Sequence, residues 1–425
     1  MSIAETSLNW IEADYLLETY AEIDKTAAIM AGEQSSGTFI AVPGETESLK
    51  KQYAASVSSI TLLEEGGPQP ALPTTGWRPE SGQRLKRAHV TLRWPLSNIG
   101  PSLPNLLATI AGNLFELRQV TGLKLLDIRL PNAFSQAYSG PRFGIEGTRA
   151  LTKVEGRPLI GTIVKPSIGL SAQDTSVLVQ NLCAAGIDFI KDDELQSDGP
   201  GCPFEERVKW VMQVIHRHAD KTGRKVMYAF NLTGDLDQMR RRHDLLLANG
   251  ATCLMVSLHS VGLTGFIELA RFAQLPIHAH RNGWGYMNRH QLLGWSYIAW
   301  QKIWRLAGAD HMHVNGLSNK FSEPDESVIA SARTCHSPLF ADKPCLAMPV
   351  LSSGQTTNVV EATYRALRSP DLIFAAGGGI LGHRNGLASG VRSLRLAWDL
   401  ALAGQSVVEA AGHDADLRIA LEMHS

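Results

Sequence analysis

The sequence predicts an α/β chain in two parts: a C-terminal (β/α)8 TIM barrel preceded by an N-terminal α+β domain of ferredoxin-like type. Two observations carry the barrel. From residue 159 onward an apolar run, a loop and an amphipathic stretch repeat eight times over about 250 residues, the size and rhythm of a closed barrel. Several of those runs also end in charged residues. The clearest is Ile187-Asp188-Phe189-Ile190-Lys191-Asp192-Asp193-Glu194, where a buried strand opens into a polar site. For the first part, apolar–polar alternation in short runs separated by helical stretches is the signal.

In residues 1–131 that alternation predicts strands at 15–20, 53–63, 85–94 and 123–130, with helices at 25–32 and 103–115. The Gly- and Pro-rich stretch 66–82 reads as a surface loop. Together they make a small antiparallel sheet with helices on one face. Residues 132–158 read as a linker. The barrel domain, 159–425 with a C-terminal helical extension, takes strands at 159–164, 187–190, 225–230, 253–257, 276–279, 311–314, 346–351 and 372–375. Helices alternate with them at 171–186, 204–219, 236–248, 264–272, 288–306, 325–333, 357–367 and 387–402. An open doubly wound sheet is the alternative. It does not need eight repeats, and no dinucleotide fingerprint follows the first strand.

A chain of 425 residues with 44% hydrophobic content has room for two domains. Its 40 basic and 41 acidic side chains give a formal net charge of −1, which argues against nucleic acid or a membrane surface as partner. The first residues lack a signal-peptide pattern and no apolar run reaches membrane-spanning length, so a cytoplasmic chain is expected. The scattered cysteines, Cys183, Cys202, Cys253, Cys335 and Cys345, form no CxxC and read as reduced packing residues.

The C-terminal ends of barrel strands converge on one mouth. The sequence places Lys165 there after the first strand, Lys191, Asp193 and Glu194 at the second, and Asn231 after the third. His278, His280 and Arg281 belong to the fifth, His311 and His313 to the sixth. Alternation turns Lys191 and Asp193 the same way, as it does His278 with His280 and His311 with His313. A lone strand histidine also reads as a hydrogen-bonded structural residue. Three adjacent acids need a compensating cation. Mg²⁺ is the expected one, because Asp193 and Glu194 offer hard oxygens, while the histidines leave zinc open. Lys191 cannot ligate a metal as an ammonium. It is a base lowered in pKa by burial, a salt-bridge partner, or a lysine modified into a carboxylate-like group.

Ser352-Ser353-Gly354 after the seventh strand and Gly377-Gly378-Gly379 after the eighth stand at the phosphate station of this architecture, or are tight turns. Arg281 can hold another anion through its fork of donors. Lys320, on a loop with Gly316, Ser318 and Asn319, reads as a lid residue or as an exposed loop lysine.

These segments resemble the large subunit of ribulose bisphosphate carboxylase (RuBisCO). Gly161-Thr162-Ile163-Val164-Lys165-Pro166 looks like its first barrel strand, and the run 186–194 like its metal-site signature. His278-Ala279-His280-Arg281, the run 308–313 and the run 377–383 match further segments in order. Glu33 with Ser36-Gly37-Thr38, and Gly112-Asn113, match in the first part. The resemblance implies that Lys191 is carbamylated by CO₂ to N6-carboxylysine and binds Mg²⁺ with Asp193 and Glu194. It implies that Lys165 handles protons at the reacting carbon, with His280 near the metal-bound oxygens. Arg281 and His313 would bind one phosphate end, and Lys320, Thr38, Gly354, Gly377 and Gly378 the other, with Ser352 beside them. Glu33, Thr38 and Asn113 would come from a neighbouring subunit, making a homodimer with shared active sites, open to higher assembly, the active unit.

Departures narrow the chemistry. Ser167 stands where the carboxylase has a second lysine, Phe39 where it has a tryptophan, and Ser353 where it has a glycine. The expectation is a RuBisCO-like protein that retains enediolate chemistry without carboxylating ribulose bisphosphate. Its expected reaction is decarboxylation of a phosphorylated 3-keto sugar acid, 3-oxo-isoapionate 4-phosphate, to a tetrulose phosphate and CO₂. The alternatives are enolisation of 2,3-diketo-5-methylthiopentyl-1-phosphate or isomerisation of methylthioribulose phosphate, for which Phe39 would line an apolar wall. A non-catalytic sugar-phosphate-binding relative is a third reading.

Overall fold

The computed structural model describes residues 9–37, 42–63, 65–67, 69–73 and 83–423. The chain divides into two compact units, Met1–Ser139 with Gly283–Ile303, and Gly140–Asn282 with Trp304–Ser425. Much of the stretch 66–82, read as a loop, lies outside the described residues.

In the first unit β1 (Trp10–Thr19) lies between β3 (Lys86–Pro95) and β4 (Gly122–Arg129), with β2 (Ser56–Leu62) beyond β3, all antiparallel. Alternation decides which face is buried. Ile11, Ala13, Tyr15 and Leu17 of β1 face inward with Ala88, Val90, Leu92 and Trp94 of β3. Helix Ile23–Glu33 turns Ile23, Ala27, Met30 and Ala31 into the interior, a spacing that keeps one helical face apolar. Helix Leu103–Ala111 starts at Ser102, whose side chain caps the Asn105 N–H, and its Ile110 carbonyl accepts from Tyr15 Oη at 2.6 Å. On the opposite face Arg129 bridges Glu12 and Asp14 across the strands.

In the second unit β5 (Leu159–Ile163), β6 (Phe189–Lys191), β7 (Met227–Asn231), β8 (Cys253–Ser257) and β9 (Ile277–His280) run parallel in sequence order. The chain then gives β10 (Leu293–Trp295) to the first unit before β11 (His311–Asn315), β12 (Met348–Ser352) and β13 (Ile373–Ala375) close the barrel against β5. Leu159, Phe189, Met227, Cys253, Met348 and Ile373 fill the lower interior with Val154. Gly161 makes room for Phe189, whose ring would lie 3.0 Å from a Cβ there. Burying a side chain of that size stabilises the fold by about 2–3 kcal/mol. At the end of the barrel away from the mouth, buried Asp188 accepts from Arg157 (2.6 Å), Arg224 (2.8 Å) and the Ile160 N–H (2.9 Å).

The helices are cut where local chemistry says. Ser171 and Asp174 form a capping box on helix Ala172–Ala184, Asp235 and Gln238 another on Leu236–Ala248, and Gly223 at φ +73° ends Phe204–Thr222. All five cysteines are buried and free. No helix among the described residues is long and apolar enough to cross a membrane.

Two readings need correction. The helix expected at 288–306 is a short helix Trp284–Asn288, then β10, then helix Tyr297–Ala307. Gly294, at φ +91° with the Met287 carbonyl oxygen 1.8 Å from where a Cβ would be, breaks the helix. β10 pairs parallel with β4, taking up the backbone groups on that edge. Tyr53 belongs to helix Glu47–Tyr53, capped by Thr46, and not to a strand. The stretch 132–158 carries helices Ala133–Ala137 and Gly144–Thr152, and the division of the chain runs through it at residue 140.

Candidate active site

β6 ends in the cluster that the sequence singled out. Lys191 pairs in register with Ile163 of β5 and Ala229 of β7, which turns its side chain inward above Phe189. It is 1% exposed, and its Nζ donates to the Asp192 carbonyl at 2.9 Å and lies 3.5 Å from Glu194 Oε2. Asp193 faces the mouth with it. Lys165 Nζ donates to Asp193 Oδ2 at 2.6 Å and to Ser167 Oγ at 2.8 Å. Asn231, at the end of β7, ties the backbone of this turn by donating to the Asp193 and Glu194 carbonyls.

Asp192 turns the other way. Its carboxylate is fully buried outside the barrel and accepts from Tyr228 Oη, the Asn231 N–H at 2.9 Å and Arg207 Nε at 3.2 Å. One of the three adjacent acids is therefore compensated by an arginine, and two remain for the mouth.

Burial pushes the Lys191 pKa down against the pull of Glu194 and Asp193. Burial raises Asp193, but the Lys165 hydrogen bond, the Leu195 N–H and the Lys191 charge hold it below the usual carboxylate range. Glu194 is likewise held low, burial being outweighed by His280 and Lys191.

Next to the acids stands a column of histidines from β9 and β11. His280 Nε2 lies 3.5 Å from Glu194 Oε2, and its ring centroid is 4.3 Å from that of His313. His280 Nδ1 meets both the Asn282 N–H at 3.2 Å and Asn282 Oδ1 at 3.3 Å, and its Nε2 faces Glu194. His313 Nε2 shares a 2.9 Å hydrogen bond with Ser352 Oγ, and His311 Nε2 another with Thr148 Oγ1. Burial lowers His280 to about 4 and His311 to about 3, and puts His278 and His313 well below the ordinary value. The positive charge at the mouth at neutral pH thus comes from lysine and arginine.

The remaining barrel residues expected at the mouth lie on neighbouring strand ends and loops. Arg281 pairs with Glu323 in a bridge whose side chains are 5% and 7% exposed. The Lys320 N–H donates to the Ser353 carbonyl at 3.1 Å, and Gly354 packs its Cα face toward Lys320. Ser353 sits at φ +70°, a conformation glycine adopts at less cost, and its hydroxyl donates to Asn315 Oδ1 at 2.8 Å. Among the described residues, a side chain at Gly378 would meet nothing within 4 Å, and one at Gly377 only Ile163 Cδ1 at 3.8 Å. Both glycines thus border open space where a ligand group can approach the backbone. In the first unit Asn113 Nδ2 donates to Glu33 Oε1 at 3.3 Å, so these two expected residues meet; Thr38 and Phe39 lie outside the described residues. Glu323 was not read from the sequence. It sits on a loop with no periodicity, and nothing local points to Arg281, 42 residues away.

Among the described residues no group of three His, Cys, Asp or Glu side chains meets in one place to hold a metal. Two carboxylates with a buried lysine between them nevertheless fit a hard divalent cation once that lysine carries a third oxygen ligand. As an ammonium, Lys191 is the stand-in charge that offsets Glu194.

Sequence profiles of the ribulose bisphosphate carboxylase large chain match twice, the N-terminal domain over residues 15–134 and the catalytic domain over residues 144–424. The chain belongs to this family. Among its RuBisCO-family relatives is the 3-oxo-isoapionate-4-phosphate transcarboxylase/hydrolase of Xanthobacter autotrophicus, 55% identical over 97% of this chain and 98% of that protein. The 3-oxo-isoapionate-4-phosphate decarboxylase of Rhizobium rhizogenes is 43% identical over 92% of this chain and 93% of its own length. The crystal structure of a rubisco-like protein from Burkholderia fungorum superposes with a TM-score of 0.91 at 46% identity, covering 97% of this chain and 99% of that one. An octameric RuBisCO from Pyrococcus horikoshii gives 0.84 at 27% identity, covering 98% and 93%. The RuBisCO fold expected from the motifs, an N-terminal domain and an eight-stranded parallel barrel, is thereby shown, and the close relatives are enzymes.

Proposed function

We propose that this chain cleaves the carboxyl group from 3-oxo-isoapionate 4-phosphate, releasing CO₂ and a tetrulose phosphate. The observation that carries this is Lys165 Nζ, placed at the mouth between Asp193 Oδ2 and Ser167 Oγ. In a 3-keto acid the bond to the carboxyl carbon breaks, its electron pair passes into the ketone to give an enediolate, and a proton must then arrive at carbon. Lys165 holds that proton, and Asp193 and Ser167 fix its direction. Ser167 brings no second ammonium to capture CO₂, which favours release over addition. The backbone at Gly354, Gly377 and Gly378, with Lys320 and Thr38, takes the phosphate. His280 presents Nε2 to the oxygens of the reacting centre, with His313 and Ser352 beyond it.

Lys191, Asp193 and Glu194 would hold Mg²⁺, with Lys191 as its carbamate; the lowered Lys191 pKa supports this, because only the neutral amine adds CO₂. The cation, when bound, supplies Lewis-acid polarisation of the ketone oxygen. We place Glu33, Thr38 and Asn113 in the site of a neighbouring subunit, so that the active unit is a homodimer.

A second reading shares substrate and first bond cleavage but keeps the carboxyl group, moving it and then hydrolysing the product. The 55% identity to a transcarboxylase/hydrolase favours it. One measurement separates the two: CO₂ released per substrate consumed, with Mg²⁺ and bicarbonate present. One equivalent of CO₂ and a single phosphorylated product is expected. Consumption without net CO₂ and with two carbon products would move the chain to the second reading. No consumption, with enol formed from 2,3-diketo-5-methylthiopentyl-1-phosphate run beside it, would remove both.

A further inference from the structure

Arg281 does not stand alone at its end of the mouth. Its Nη2 donates to Glu323 Oε2, and the same oxygen accepts from Asn315 Nδ2 at 2.7 Å. The other carboxylate oxygen accepts from Ser327 Oγ at 2.8 Å. Behind Asn315 the network continues to Ser353, whose hydroxyl donates to Asn315 Oδ1, and the Asn319 amide pins the Glu323 carbonyl at 3.0 Å. Glu323 is thus held by side chain and backbone, and the bridge is nearly excluded from water.

We infer that Glu323 sets the charge at the Arg281 end, so that the site takes a substrate with one phosphate and discriminates against a second. A buried guanidinium already matched to a carboxylate is close to neutral as a unit. A phosphate dianion brought to Arg281 would meet the Glu323 carboxylate beside it, in surroundings where like charges repel strongly. A hydroxyl or other uncharged group suffers no such repulsion. At the other end, no acid of the described residues lies within 4 Å of a Cβ at Gly377 or Gly378, so the single phosphate goes there. Ser353, where the bisphosphate-using relatives are expected to have glycine, belongs to the same network: its hydroxyl fixes Asn315, and Asn315 fixes Glu323. The inference rests on the barrel mouth being the substrate site, but not on which monophosphate is turned over.

The test is a binding measurement on the full chain with Mg²⁺ and bicarbonate, using ribulose 5-phosphate and ribulose 1,5-bisphosphate as probes. In the parent protein the second phosphate should add less than about threefold to affinity. Glu323→Gln keeps the shape and removes the charge, and should tighten the bisphosphate by about tenfold while leaving the monophosphate within about threefold. Ser327→Ala, which loosens the carboxylate but keeps its charge, should produce no such gain. A parent protein that binds the bisphosphate more than about tenfold tighter overturns the inference, even if the Gln variant fails to fold. So does a folded Glu323→Gln variant whose preference is unchanged. Because no turnover enters, failure to consume 3-oxo-isoapionate 4-phosphate would remove the substrate assignment and leave this result standing.

Discussion

Asp192 and Asp193 are adjacent acids on one strand end, and alternation gives them opposite work. Asp193 points to the mouth and meets Lys165. Asp192 points away and joins Arg207, with both side chains fully buried. Arg207 also donates to the Cys202 carbonyl at 2.9 Å and the Ser197 carbonyl at 2.6 Å, so the pair anchors the 192–204 turn beneath the site. Breaking one partner of such a pair leaves a buried charge uncompensated. Asp192→Asn should therefore destabilise the fold by about 3 kcal/mol, whereas Asp193→Asn, whose lysine partner reaches solvent, should cost much less. Denaturant unfolding of the two variants decides. Equal midpoints would mean that Asp192 is no more structural than its neighbour.

The histidine column is a property of β9 and β11 together, four imidazoles on two adjacent inward-facing strands. Burial lowers each of them in the fold, so between the folded values, about 4 for His280 and about 3 for His311, and the ordinary value near 6.5 the unfolded chain binds more protons. Stability therefore rises with pH across this window and is lost as pH falls below about 6.5, well before the lowered carboxylates titrate. The unfolding midpoint at pH 5 should lie clearly below that at pH 7; an equal midpoint would mean the histidines are not buried neutral. The eight barrel strands were legible because buried parallel strands are short apolar runs ending in polar residues, and all were read to within two residues at either end. β10 was not, because its three residues make sense only through β4, far away in sequence. Helix Glu47–Tyr53 buries no residue, so it offers no apolar stripe to read. At the site the strand-borne residues were legible by position. Glu323 was not, because its partner is set by tertiary structure alone.

At the scale of the whole molecule, the proposal of shared sites has a strict arithmetic. If Glu33 and Asn113 of one subunit complete the barrel site of the other, then a subunit lacking Lys191 and a subunit lacking Glu33 are defective in different halves of a site. Lys191→Ala and Glu33→Gln homodimers should each lose nearly all turnover. A mixed dimer pairs the two defects in one site and leaves the other site intact. Random assembly of equal amounts makes half the dimers mixed, each with one working site of two, so activity should return to about a quarter of the parent value. Coexpression with two purification tags isolates the mixed dimer, in which about half the parent activity is expected. If each subunit carried a complete site, the mixed dimer would be as inactive as its parents, and Glu33 and Asn113, 3.3 Å apart in the first unit, would serve only that unit's fold.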